Sequence, residues 1–570
     1  MRIGLLTEGG YPFATGESRL WCDRLVRGLV QHEFDIYALS RSAEQEDGGW
    51  IELPPQVQRV RTAPLWASEE PLGRSGPRRL CRRVVAGGGW TYGRRERQRF
   101  AHHLMELAAA VTSASGAEGF ADGLYGLAEL AREHGGLPVA LRSELAVRTL
   151  ESACRAPGAL RAAHAATVPD YLVLTDQLER ALRPLSLDWY ADDSLGAVDL
   201  CHAASGGTAA LPGLLAKRFF GTPLLVTEYG VQLRAHYLAA ADGTLGAPVR
   251  ALLGGFHRCL AQEVYRMASV ITPGNLHARS WQEKCGADRD RLRTVYPGME
   301  ADRFSSVGEG GDAGDPDTLV WVGRVEPAKD LIALLHAFAE VRKEEREARL
   351  RIISAPVQGQ DARTYLAHCK ALAAQLFPDE AVDAHAVGDN PVAFEEIGGP
   401  EAPHVADAYA AGAVVVLSSV VEGFPISLVE AMFCGRATVS TDVGAVVEVI
   451  GGTGLVVPPR NPRALADACL ALLRDPERRG RLGAAARARA LELFTVEQNL
   501  AAFRDIYLEL ISRSPVRREA EAVDAHGAPL PFALPAEAHV PGHWTGGRTL
   551  PRWADPAPMA TAAAPGASDA

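Results

Sequence analysis

Residues 414–441 read VVVLSSVVEGFPISLVEAMFCGRATVST. An apolar run over 414–417 gives way to two serines, then to Glu422 and Gly423. Phe424 and Pro425 follow and open a helical segment that carries Glu430 and is closed by Gly435, after which a second apolar run begins at Ala437. The pattern is strand, loop, helix and strand, with one carboxylate at the strand's mouth and another about a turn into the helix. In a parallel α/β sheet, ligands settle at the carboxyl ends of the strands. Carboxylates placed there accept hydrogen bonds from sugar and ribose hydroxyls. The stretch therefore predicts an α/β fold that handles a nucleotide-sugar.

The alternation extends in both directions from this segment. Upstream, strands at 319–322 and 350–353 are separated by helical spacing over 331–345 and followed by it over 365–376. Before these, residues 309–317 (EGGDAGDPD) are polar, acidic and glycine-rich, the composition of an inter-domain linker. The N-terminal half opens with a buried strand at 3–6, a glycine-rich loop at 9–16, a helix over 18–30 and a strand at 34–39. It resumes with strands at 199–202, 224–226, 270–273 and 292–296 and helices over 211–220 and 252–268. Between the two runs, residues 44–115 read as an irregular insertion with Pro54-Pro55, an arginine cluster at 78–83 and one helix near 98–111. That cluster suits a solvated face, with contact to an anionic acceptor as the alternative.

Two alternating halves imply two facing Rossmann-like domains with a ligand cleft between them. The expected division is 1–308, the linker 309–317, 318–490, and a helix over 491–514 packing back on the first domain. Residues 515–570, rich in Pro, Ala and Gly, are expected to form a disordered tail.

The 570 residues exceed what one core usually serves. A formal charge of -11 excludes a nucleic-acid footprint but not a local basic pocket. The nine cysteines contain no CxxC pair, so they read as small buried hydrophobes of a reducing compartment. The start MRIGLLTEGG lacks the length and cleavage site of a signal peptide, and no window approaches ~18 consecutive apolar residues. The expectation is a soluble, cytoplasmic protein with no membrane span of its own.

Further candidates surround the two glutamates. Gly323-Arg324 closes a strand, and Lys329 follows as a helix begins. Two cations at such a mouth suit a diphosphate whose charge grows as the sugar bond breaks. Gly9 and Gly10 permit close backbone approach to a ligand on the facing domain. The turn 441–445 offers either free backbone N–H groups or a plain strand–helix connection. His202 and His236 fall where the cleft would be, a satisfied structural histidine being the preferred reading for each. Asp288-Arg289-Asp290 and Asp315-Pro316-Asp317 fit a DxD string, yet neither directly follows an apolar strand, so no metal site is expected.

These residues resemble a known family. GRVEPAKD (323–330), the stretch from 418 to 448 and GLVVPPRNPRALADA (454–468) are similar to glycosyltransferase family 4, retaining enzymes of the GT-B fold, whose E-x7-E motif the glutamates match. Residues 1–29, 201–234 and 293–304 look like the PelF-type subgroup associated with exopolysaccharide synthesis, whereas 44–198 match loosely.

The resemblance implies that Glu430 binds the donor ribose and Glu422 the sugar hydroxyls. Gly423, Phe424, Pro425 and Gly323 would line the donor. Arg324 and Lys329 would hold the diphosphate, and Gly9 and Gly10 would let the domains close. It also implies TEHG where this chain reads Thr227-Glu228-Tyr229-Gly230. Tyr229 keeps a donor beside the sugar but is larger than histidine and does not titrate near neutral pH.

The implied activity is metal-independent retaining transfer of a hexose from a nucleotide-diphospho-sugar, UDP-glucose above all, to a glycan or polysaccharide. Association with a membrane-bound polysaccharide assembly system is compatible with it. The alternatives are a GT-B nucleotide-sugar epimerase and a non-catalytic nucleotide-sugar-binding subunit.

Overall fold

The computed structural model describes residues 1–14, 18–66, 92–113, 119–239, 245–309, 314–378 and 390–514. The arginine cluster at 78–83, the centre of the expected linker and the tail from 515 onward lie outside these residues.

The first sheet contains β1 (Arg2–Glu8), β2 (Glu33–Ser40), β3 (Val57–Pro64), β4 (Leu200–Ala203), β5 (Leu224–Glu228) and β6 (Val270–Pro273). All its pairings are parallel, in the order β3-β2-β1-β4-β5-β6. The second contains β7 (Thr318–Gly323), β8 (Arg349–Ser354), β9 (Val392–Glu396), β10 (Val414–Leu417), β11 (Ala437–Thr441) and β12 (Leu455–Val457). It too is parallel, in the order β12-β11-β10-β7-β8-β9. Each is doubly wound, and the strand order reverses between β1 and β4 and between β7 and β10. Ligand crevices form at such switch points.

The strands β1, β4, β5, β10 and β11 are buried almost throughout because helices cover both faces of a parallel sheet. Edge strands escape that pattern. β3 reads VQRVRTAP, its arginines reaching Asp188 O and Asp193 O, so the segment expected to be an irregular insertion supplies the sheet's outer strand. β9, at the other sheet's edge, reads VAFEE and is buried only at Val392. Residues 292–296 make only an isolated bridge from Leu292 to Ile271 and form no strand.

Between β3 and β4 the chain builds a helical layer that includes Arg94–Thr112, Phe120–His134, Glu144–Arg155 and Val168–Leu182. Its apolar faces join one core with the helix Ala247–Met267 and that side of the first sheet. Among the described residues no helix is long and apolar enough to cross a membrane. The eight described cysteines are all buried, and none forms a disulfide.

The chain passes between the sheets twice, and the passages lie side by side. Met299 N donates to Phe494 O at 2.9 Å and Val496 N to Met299 O at 3.2 Å. The helix Val496–Ser512 then buries Phe503, Ile506, Tyr507 and Leu510 against Ile3, Leu5, Leu25 and Phe34 of the first sheet's layer. His202 completes this junction: its Nδ1 pairs with Tyr507 OH at 2.7 Å and its Nε2 with Thr227 Oγ1 at 2.6 Å. It is fully buried, and burial depresses its pKa to about 3. His202 is therefore a neutral structural group joining sheet and helix.

Candidate active site

The loops after β7 and β10 meet at the second switch point. Ser418 Oγ donates to Lys329 O at 2.7 Å and Val420 N to Ala328 O at 2.8 Å, stitching the two loops together. Pro327–Lys329 forms a single 3-10 turn, and Asp330 takes a left-handed conformation (φ 47°). Its side chain accepts from Ala333 N at 3.2 Å and caps the helix Leu331–Glu344. That sharp turn aims Lys329 back over β10. Its ammonium pairs with Glu422 Oε1, to which Ser419 Oγ also donates at 2.8 Å. The Lys329 side chain is 18% exposed and that of Glu422 8%, so the pair is largely desolvated.

Arg324 sits elsewhere. Its side chain is 75% exposed and turns to Glu326 at 3.3 Å, so in this conformation Lys329 alone of the two expected cations meets Glu422. Lys329 was expected on a diphosphate; here its ammonium pairs with the Glu422 carboxylate.

Glu430 lies on the helix Ile426–Phe433, with Pro425 at its N-cap. Tyr409 OH donates to Glu430 Oε2 at 2.7 Å. Burial raises the Glu430 pKa above the ordinary carboxylate range, opposed by the Tyr409 bond and then by the charges of Arg303 and Arg24. Gly423 faces open space where a side chain would stand, whereas Phe424 packs towards Phe494 and Tyr296, with ring centroids 5.7 and 6.5 Å away. Phe424 thus braces the passage between the sheets. Gly323 lies against the Trp321 ring, where a Cβ would fall 3.2 Å away.

The turn 441–445 supports this loop from beneath. Thr441 Oγ1 donates to Ser419 O at 2.6 Å and Ala445 N to Gly423 O at 3.2 Å. Gly444 has φ 58°, and a Cβ there would stand 2.4 Å from Glu422 O. The backbone N–H groups of Asp442, Val443 and Ala445 are engaged within the protein, by Val457 O, Thr441 O and Gly423 O. Glu448 just beyond accepts from Leu276 N at 2.7 Å and Tyr296 OH at 2.8 Å, tying the second domain to the first.

On the facing domain, Gly9 (φ 63°) donates its N–H to Leu39 O at 2.8 Å, and Gly10 leaves space that Ser18 fills. Tyr229 OH accepts from Asn499 Nδ2 at 3.2 Å, and its ring meets Trp21 edge-on at 5.3 Å. Burial pushes its pKa up. The hydroxyl expected beside the sugar is thus held by the crossover helix, Val496–Ser512, which carries Asn499. His236 pairs with Arg250 O at 3.2 Å and its ring stands 5.0 Å from that of His257.

Sequence reasoning passed over Ser419, Tyr409, Glu228 and Arg234. Glu228 is 1% exposed and accepts from Gln282 Nε2 and Gln232 N, both at 3.1 Å. Arg234 Nη2 reaches Glu422 O at 3.3 Å from the opposite domain. The paired serines after β10 were a signal for Ser419; nothing local singled out Tyr409 or Arg234.

Residues 1–290 match the family described as Domain of unknown function (DUF3492), and residues 316–475 match Glycosyl transferases group 1. Relatives include D-inositol 3-phosphate glycosyltransferases of Nocardioides sp., 28% identical over 52% of this chain and 64% of that protein. Those of Kineococcus radiotolerans (30%, over 51% and 67%) and Streptomyces bingchenggensis (31%, over 39% and 49%) are similar. The chain thus spans from about half to two thirds of the length of these curated relatives. Among solved structures, Anabaena Alr3699/HepE in complex with UDP superposes with a TM-score of 0.51 at 14% identity, over 89% of this chain and 100% of that one. Sucrose-phosphate synthase from Thermosynechococcus elongatus gives 0.52 at 16% identity, over 90% and 100%. These likenesses show the fold, two parallel α/β domains in the GT-B arrangement.

Proposed function

Since the chain belongs to the DUF3492 family and carries a group 1 glycosyl transferase domain, we propose that it is a retaining glycosyltransferase. It moves a hexose from UDP-glucose to a glycan or polysaccharide, as a PelF-type enzyme would. The observation that carries this reading is the desolvated Lys329–Glu422 pair at the second switch point, with Glu430 eight residues on. An incoming diphosphate competes for the Lys329 ammonium and releases the Glu422 carboxylate to a sugar hydroxyl. Tyr409 holds Glu430 Oε2 and leaves Oε1 for a ribose hydroxyl. Arg324, free to swing on its exposed stem, joins Lys329 on the diphosphate. The two cations do the work of charge neutralisation that a divalent ion does elsewhere.

The acceptor has a second reading, because the relatives are named for D-inositol 3-phosphate. A thermal-shift screen of UDP-, GDP- and ADP-glucose, followed by acceptor trials with glycans and inositol 3-phosphate, tests both. Stabilisation by UDP-glucose and a product with the donor's anomeric configuration are expected. An inverted product, or a 2-epimer formed without acceptor, would overturn the reading. Donor binding without transfer to any acceptor would favour a sugar-sensing subunit.

A further inference from the structure

Arg234 stands in the helix Gln232–Ala239, which the buried Glu228 carboxylate anchors at its first residue. From there Nη2 crosses to Glu422 O. Lys329 reaches the carboxylate of that same residue from within the second domain, so two cations converge on Glu422 from opposite walls. Among the described residues no carboxylate pairs with Arg234. Its charge is felt by His277, whose pKa is lowered first by burial and then by Arg234 and Lys284. A part-buried guanidinium whose bond is to a single carbonyl keeps most of its donors unspent, and its planar fork matches a phosphate. Tyr229, five residues earlier, is tied to Asn499 and contributes no such group.

We propose that Arg234 is a further catalytic residue: with donor bound, its guanidinium moves from the Glu422 carbonyl onto the diphosphate, opposite Lys329. This rests on the reading that the cleft binds a nucleoside diphospho-sugar. As the bond from the anomeric carbon to the β-phosphate oxygen breaks, its electron pair stays on that oxygen. The acceptor oxygen forms the new bond on the same face and passes its proton to the departing phosphate. Lys329 and Arg234 share the charge that develops there, one from each domain, so full stabilisation arrives only when the cleft is shut. The N-terminal domain's polar contribution thus comes from the first helix after β5 and not from residue 229.

The test is calorimetry of the full chain and its Arg234→Ala, Arg234→Lys and Lys329→Ala variants with UDP, UMP and uridine, with thermal midpoints recorded for each. Arg234→Ala should weaken UDP roughly ten- to a hundred-fold while leaving uridine within about twofold. Arg234→Lys should recover only part of the loss, since an ammonium lacks the fork. Equal losses for UDP and uridine, or UDP affinity equal to the parent's, would overturn the assignment. The outcomes also separate the two readings. If Lys329→Ala weakens UDP and Arg234→Ala does not, Arg234 alone loses its role. If the parent binds none of UDP, GDP and ADP, the nucleotide-sugar reading falls and takes Arg234 with it.

Discussion

Removing the Lys329 charge should expose how strongly the two loops of the second switch point depend on each other. Two unit charges in contact attract by about 4–5 kcal/mol at an effective dielectric near 20. With side chains only 18% and 8% exposed, both ions have lost most of their water, and that desolvation consumes about half of the attraction. A net coupling of about 2 kcal/mol remains. Lys329→Met fills the space but strands Glu422 with only the Ser419 hydroxyl at 2.8 Å. It should destabilise the fold by about 3 kcal/mol. Glu422→Gln keeps a hydrogen-bonding group and should cost about 1–2 kcal/mol. The double variant should cost less than the sum by the coupling, because it leaves no unpaired charge. Urea denaturation of the four proteins reads these values directly. Losses that add to within about 0.5 kcal/mol would refute the pairing.

Two further perturbations address other parts of the molecule. Below pH 6.5 the unfolded chain takes up a proton at His202 that the folded chain refuses until about pH 3, so stability should fall by about 1.4 kcal/mol per pH unit across that window. His202→Gln should remove that slope, and denaturation curves of equal slope would dismiss the assignment. Tyr409→Phe removes the bond to Glu430 Oε2, which opposes the upward push of burial. The carboxyl pKa should rise further, so UDP binding by the variant should fade at a higher pH than the parent's; superimposable pH profiles would show that Glu430 does not act as a carboxylate there.

The centre of each sheet was legible where burial on both faces favours apolar residues, as in LLVTE of β5 and VVVL of β10. Residues 270–273 and 211–220 coincide with the strand Val270–Pro273 and the helix Leu211–Phe220. β3 was illegible for the converse reason: an edge strand keeps one side polar, and Arg59 and Arg61 look like loop residues until β2 lies beside them. Residues 292–296 (LRTVY) mislead in the other direction: Arg293 N and Val295 N donate to Ile271 O and Pro273 O, yet the segment makes a single bridge and no strand. At the site, the E-x7-E spacing was visible, but its partners were not. Lys329 lies 93 positions from Glu422, and Tyr409 lies 21 from Glu430 on the preceding helix. Such pairs follow from strand order, which local periodicity does not encode.

The crossover helix also orders events in time. Phe503, Ile506, Tyr507 and Leu510 belong to the hydrophobic cluster beneath β1, β2 and β4, and His202 lacks a partner for Nδ1 until Tyr507 arrives. During synthesis roughly 200 residues must emerge between the end of the first sheet's layer and this helix, which takes about 10–40 s. Throughout that interval the first domain shows a raw apolar face to the surroundings while the second domain is still being made. The half made first is the half finished last, and the nascent chain is most open to chaperones or to aggregation in that interval.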